Sequence, residues 1–201
     1  GHLTITDESA FEVGRNIAVT EGAVVFENEV MQLIQYAPLT TEVHSHPLLI
    51  VPPCINKFYI LDLQPDNSVI RHAVAQGHTV FVLSWVNPDE SHRGLTWDDY
   101  IESGAITAIE TAQAISGEKQ INVLGFCVGG TILSTALAVM AARGKKPASS
   151  LTLLTTMLDF SDVGGIDIYV DEAQVMQREQ AIGKGGLMPG RDFAAAFSSL
   201  R

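Results

Sequence analysis

Cys127 stands between two glycines in the run Gly125-Phe126-Cys127-Val128-Gly129, where the apolar segment 121–125 gives way to an Ala- and Leu-rich one. Glycine two residues to either side of a nucleophilic side chain is the pattern of a sharp strand-to-helix turn, with Cys here in the place more often held by Ser. Such a turn lifts the side chain out at the carboxyl edge of a sheet. The glycines are needed because a side chain at either position would strike the neighbouring strand or helix. A helix that starts beside the sulfur points its dipole there, which favours an anion. The Val128 amide is placed as one arm of an oxyanion hole. The chemistry in view is nucleophilic catalysis through Cys127, the alternative being a structural cysteine in a glycine-rich turn.

The surrounding elements agree with that placement. Two short strands, 23–26 and 31–36, flank the polar "ENE" and suggest an opening antiparallel pair. "PLLIV" (47–51) is a buried strand stopped by Pro52-Pro53, and residues 66–76 show helical spacing closed by Gly77. "TVFVLSW" (79–85) is the next strand. Thr96 caps a helix with Trp97, Ile101, Ala105, Ala108, Ala112 and Ile115 on its apolar face, ended by Gly117. "INVLG" leads into Cys127, a helix spans 128–143, and residues 150–157 form another apolar strand. Strands that are continuous apolar runs, alternating with helices, predict a parallel sheet covered on both faces. Three stretches follow: a lead-in over 1–36, an α/β core over 37–160, and an excursion from the sheet over 161–201. "GKGGLMPGR" within the last reads as mobile.

The second oxyanion donor is expected from the loop after the strand that precedes the first helix. Here that is "PPCINKF" (52–58), with Ile55 or Cys54 as the amide and Ile55 preferred. Asp62 sits among apolar residues at the rim of this loop. Asp98 and Asp99 suit a helix N-terminus.

Composition narrows the partners. The chain has 201 residues, 46% hydrophobic and 17% charged, enough for one packed domain. A formal charge of −11 disfavours nucleic acid and anionic membrane surfaces. No apolar run approaches the length of a bilayer span, and residues 1–14 lack the basic and apolar regions of a secretion signal. Two cysteines, Cys54 and Cys127, make no disulfide framework, so reduced thiols in a cytosol are expected. There is no metal-ligand constellation.

The blocks "VPPCINKFYILDLQPDNS", "GHTVFVLSWVNPD", "TWDDYI", "INVLGFCVGGT" and "LLTTMLDF", in this order, resemble polyhydroxyalkanoate synthase of class I, and the lead-in "TDESAFEVGRNIAVTEGAVVFEN" resembles the entry to its catalytic domain. The resemblance covers about residues 7–180. It implies an α/β-hydrolase fold, a Cys-His-Asp triad with Cys127 as the acyl carrier, and polymerisation of (R)-3-hydroxyacyl-CoA with release of CoA. It implies no cofactor, since the CoA thioester is the substrate. It also implies a homodimer as the complete enzyme, working in the cytoplasm at the surface of polyester granules.

The family's acid and histidine follow the nucleophile in the chain. His2, His44, His46, His72, His78 and His92 all precede Cys127. Asp159 follows a strand, but the resemblance places the acid after a later one. The chain is therefore expected to hold an incomplete hydrolase fold, the first half of its sheet, and to lack activity alone. Two other readings compete: a cysteine hydrolase of the dienelactone-hydrolase type, and a non-catalytic, granule-associated fragment.

Overall fold

The computed structural model describes residues 7–169, 171–183 and 185–198. His2 lies outside them. The chain divides into two compact units, one of residues 1–86 and 97–156, the other of residues 87–96 and 157–201.

The first unit is built on a six-stranded sheet in the order β1-β2-β6-β3-β7-β8. Its strands are β1 (Gly22–Glu27), β2 (Met31–Tyr36), β3 (Leu48–Val51), β6 (Val80–Trp85), β7 (Ile121–Phe126) and β8 (Ala148–Leu154). A separate two-stranded ribbon pairs β4 (Asp62–Gln64) with β5 (Asn67–Ser68). Strands β6, β3, β7 and β8 run parallel. The lead-in joins the same sheet, because β2 pairs antiparallel with β6. Asn28 makes the β1–β2 turn: its side-chain oxygen accepts from the amides of Val30 and Met31, both at 3.0 Å.

Alternation along the strands assigns the two faces. Ile50, Val82 and Leu124 pack with Ile70 and Val74 of α1 (Val69–Ala75) and with Tyr36. Leu49, Val51, Phe81, Leu83 and Val123 are buried on the opposite face. The residues of β3 and β6 are almost wholly buried, as expected of central parallel strands.

Three differences from the sequence reading have physical causes. Residues 66–68 belong to the ribbon, and the helix starts only at Val69, because the Ser68 hydroxyl caps it by accepting from the Arg71 amide at 2.8 Å. The helix after Thr96 is not uniform. It runs from α2 (Trp97–Asp99) through a π-helical stretch, Tyr100–Ile106, into α3 (Thr107–Ser116). The π turn shifts the buried face, so Gly104, Ile106 and Ile109 are covered while Trp97 and Ile115 stay exposed. Finally, β8 begins at Ala148 and ends at Leu154, and most of it is exposed. It forms the edge of the described sheet rather than a buried strand.

The second unit carries α5 (Glu172–Ile182) and α6 (Gly190–Ser198). Asp89 opens a short 3-10 turn in it, with its carboxylate 2.9 Å from His92 Nδ1.

Candidate active site

The strand β7 ends at Phe126, and α4 (Val128–Ala142) begins one residue beyond Cys127. Cys127 has φ 53° and ψ −129°, a left-handed conformation that L residues rarely adopt. A strained backbone of this kind costs about 1–3 kcal/mol and persists only where its surroundings over-determine it. The surroundings here are explicit. The Cys127 amide donates to Leu154 O of β8 at 2.9 Å, and the Cys127 carbonyl accepts from Gly130 at 2.8 Å and Thr131 at 3.3 Å. The residue is pinned on both sides of its Cα.

Glycines make that pinning possible. A Cβ on Gly125 would lie 2.3 Å from Gly130 Cα, and one on Gly129 would lie 2.3 Å from Val51 O and 2.5 Å from Pro52 O. Helix α4 therefore packs backbone-to-backbone against the ends of β7 and β3. Gly130 is equally constrained, with Thr156 Oγ1 2.1 Å from a built Cβ. Sequence reasoning did not single out that third glycine. Its partner turn is strained as well: Thr155 has φ 43°, and the Thr156 hydroxyl donates to Leu154 O at 3.0 Å. The paired threonines in "LLTTM" were the available signal.

Val128 is the first residue of α4, so its N–H has no acceptor within the helix. Ile55 is the third residue of a turn closed by Asn56 N–H donating to Pro53 O at 3.2 Å, and its side chain is exposed. Cys54 precedes it in the same turn, half-buried. The loop is anchored on both flanks. Trp85 Nε1–H donates to Pro52 O at 2.8 Å in a buried bond. At the far end Asp62, 1% exposed, accepts from Thr20 Oγ1 at 2.7 Å and Ser68 Oγ at 2.6 Å.

Trp85 links the loop to the π turn. Its indole lies where a Cβ on Gly104 would fall, 2.5 Å from Cζ3, and its ring centroid is 5.2 Å from that of Tyr100. Burial, helped by the nearby Cys127, pushes the Cys54 thiol up. Burial, helped by Cys54, does the same to the Tyr100 phenol. Both groups thus stay protonated at neutral pH. The neighbourhood is Cys127, the amide of Val128, Cys54 and Tyr100, with Trp85 behind.

Among the described residues of the sheet unit, no histidine is part of this arrangement. His44 and His46 precede β3 and His78 precedes β6, so they sit at the amino edge of parallel strands whose carboxyl edge carries Cys127. His44 and His78 instead face one another, with ring centroids 4.7 Å apart. His72 lies on α1, exposed. In the second unit, Asp159 accepts from the Ser161 amide at 2.9 Å, which holds its carboxyl below the usual range and makes it a loop-capping residue. Among the described residues no group of three His, Cys, Asp or Glu side chains is arranged to hold a metal. No described helix is long and apolar enough to cross a membrane.

Comparison with known proteins accords with these features. Residues 1–73 match the family model for the poly-beta-hydroxybutyrate polymerase (PhaC) N-terminus, and residues 47–199 match that of the alpha/beta hydrolase fold. The chain is 65% identical over 206 residues to the poly(3-hydroxyalkanoate) polymerase subunit PhaC of Cupriavidus necator, an alignment covering all of this chain and 35% of that protein. It is 48% identical over 196 residues to the poly(3-hydroxyalkanoate) polymerase of Methylorubrum extorquens, covering 98% of this chain and 32% of the relative. The chain thus spans about a third of the length of these curated relatives. Among solved structures, the esterase rPPE superposes with a TM-score of 0.54 at 16% identity, over 81% of this chain and 51% of its own. The carboxylesterase EstE1 from a metagenomic library gives 0.51 at 13%, over 77% and 56%. At such identities the likeness is one of fold. A mostly parallel sheet with a GxCxG turn at its carboxyl edge, and an alignment that runs through nearly the whole of this chain and about a third of each polymerase, lead to one assignment: the chain belongs to the polyhydroxyalkanoate synthase family of α/β-hydrolase-fold proteins.

Proposed function

We propose that this chain carries the acyl-bearing nucleophile of an enzyme that polymerises (R)-3-hydroxyacyl-CoA into polyester with release of CoA. The observation that carries the reading is the left-handed Cys127 at the junction of β7 and α4, in a chain 65% identical to a polymerase subunit. The Cys127 thiolate attacks the thioester carbonyl, the new C–S bond forms, and the bond to sulfur of CoA breaks, so CoA leaves as its thiolate. Negative charge that develops on the carbonyl oxygen is met by the Val128 N–H and by an amide of the 52–58 loop, Ile55 in this proposal. In elongation, the hydroxyl of an incoming hydroxyacyl unit attacks a thioester carbonyl. A C–O bond replaces the C–S bond, and the hydroxyl proton passes to a base. The CoA thioester is substrate, and no cofactor is invoked. The same reading places the work at a granule surface in the cytoplasm, with a homodimer as the complete enzyme.

Among the described residues of the sheet unit no histidine stands beside Cys127 as a base; the histidines there lie on α1 or at the opposite edge. The proposal is therefore that the 201-residue chain acylates but does not turn over. With 3-hydroxybutyryl-CoA at pH 9, where thiols ionise without a base, CoA release should stop at one equivalent per chain and vanish in Cys127→Ala. Continuous production of free 3-hydroxybutyrate dependent on Cys127 would instead identify a self-sufficient hydrolase and overturn the reading.

A further inference from the structure

Cys54 and Cys127 are the only cysteines in the sequence, and both are half-buried free thiols. Strands β3 and β7 are adjacent and parallel, with Val51 opposite Gly125, so both chains leave the sheet at one edge. Cys54 follows three residues after Val51, and Cys127 two residues after Gly125. The outgoing loop is held against the first turn of α4, because the Val51 and Pro52 carbonyls fill the space beside Gly129. The Pro53–Asn56 turn then folds the chain back, with Cys54 at its second position. Charge at Cys127 also reaches Cys54, where it reinforces the effect of burial in keeping that thiol protonated.

This is the arrangement of an attacked thiol and a resolving thiol. We propose that Cys54 and Cys127 form an oxidisable couple, in which a peroxide oxidises Cys127 and Cys54 then closes a disulfide that reversibly silences the nucleophile. The inference rests on Cys127 being the reactive thiol of the function proposed above. In the first step the Cys127 thiolate attacks one oxygen of the peroxide, the O–O bond breaks, and Cys127 becomes a sulfenic acid as hydroxide leaves. In the second, the Cys54 sulfur attacks the Cys127 sulfur, its proton joins the departing hydroxyl, and water is lost. Two electrons pass from the thiols to the peroxide, and an external dithiol returns them. A disulfide requires Cα atoms within about 7 Å. Neighbouring strands lie about 4.8 Å apart, so Val51 and Gly125, the paired residues from which the two cysteine-bearing segments depart, start inside that range. Burial suits Cys54 to the second role, because peroxide selects the thiolate and a protonated thiol survives the first step. The chemical gain is protection: once sealed, Cys127 does not advance to the irreversible sulfinic and sulfonic acids.

The test treats the reduced chain with a small excess of hydrogen peroxide and follows it by intact mass and non-reducing peptide mapping. The expected result is loss of two hydrogens, a cross-linked pair of peptides containing Cys54 and Cys127 within one chain, loss of iodoacetamide labelling, and full recovery with dithiothreitol. In Cys54→Ser and Cys54→Ala the cross-link is lost and Cys127 accumulates two and three oxygens. Equal oxygen addition in wild type and both variants, with no cross-link, overturns the couple, as does a cross-link between chains. Acylation with 3-hydroxybutyryl-CoA separates the two ideas. A chain acylated at Cys127 but never cross-linked loses only the couple, whereas one that cross-links but is never acylated loses the proposed function.

Discussion

Replacing Gly129 by alanine tests whether helix α4 is locked onto the end of β3. In an unobstructed helix the change gains about 1 kcal/mol of intrinsic preference, so an open site would be stabilised. Here the added Cβ falls 2.3 Å from Val51 O and 2.5 Å from Pro52 O. Both are backbone atoms, and one is held by the Trp85 indole, so no side chain can swing away. Restoring ordinary contact requires α4 to move by roughly 1 Å, and overpacking of this kind costs about 1–3 kcal/mol. With two carbonyls in the way the upper end applies, which leaves a net loss of about 2 kcal/mol and a fall in Tm of about 4–8 °C for a chain of this size. The same displacement carries the Val128 amide and Cys127 with it, and a shift of about 1 Å in a reacting group costs on the order of 100-fold in rate. Calorimetry and iodoacetamide kinetics read the two effects. Gly117→Ala is the control: Gly117 has φ +74° with nothing within 4 Å, so it should lose stability through its backbone alone and leave the thiol rate unchanged. A Gly129→Ala chain that melts as wild type does and alkylates at the wild-type rate refutes the locked elbow.

Other outcomes follow from the same contacts. Asp62→Ala removes the shared acceptor of the half-buried Thr20 and Ser68 hydroxyls and should cost about 1–3 kcal/mol in urea unfolding, whereas Asp62→Asn, which keeps an acceptor, should recover most of it. Trp85→Phe removes the donor to Pro52 O, a loss of about 1 kcal/mol or more, and should also slow labelling of Cys127; an unchanged labelling rate would detach the loop from the elbow. Burial and the facing His44 hold the His78 imidazole below its ordinary value. The unfolded chain therefore takes up that proton first, so stability is intact above about pH 6.5 and falls as pH drops toward the folded value. His78→Gln should flatten Tm between pH 7 and 5, and an equally steep profile in that variant would show that another group is responsible.

The elbow was legible because its requirements are stated in residue types. Only glycine tolerates what surrounds positions 125 and 129, and an apolar strand on one side with a helix former on the other fixes the direction of the turn. The β1–β2 pair was legible for a similar reason, since Asn28 makes its turn through its own side chain. The π turn was not, because an extra residue per turn leaves Ile101 and Ala105 where an α-helix would put them and shows only downstream, in Ile106 and Ile109. Nor was the need for Gly130, which depends on Thr156 approaching from the turn just after β8, a turn that local sequence does not specify. Exposure of β8 was hidden too. Its composition is that of a covered strand, while its surroundings among the described residues leave one edge open.

The most direct test is to map where an acyl group lands. After brief exposure to 3-hydroxybutyryl-CoA, digestion and mass spectrometry should find one 3-hydroxybutyryl thioester on Cys127, present in Cys54→Ser and absent in Cys127→Ala. An adduct on Cys54 alone, or none on a chain whose Cys127 still alkylates readily, would contradict the assignment of Cys127 as the acyl carrier.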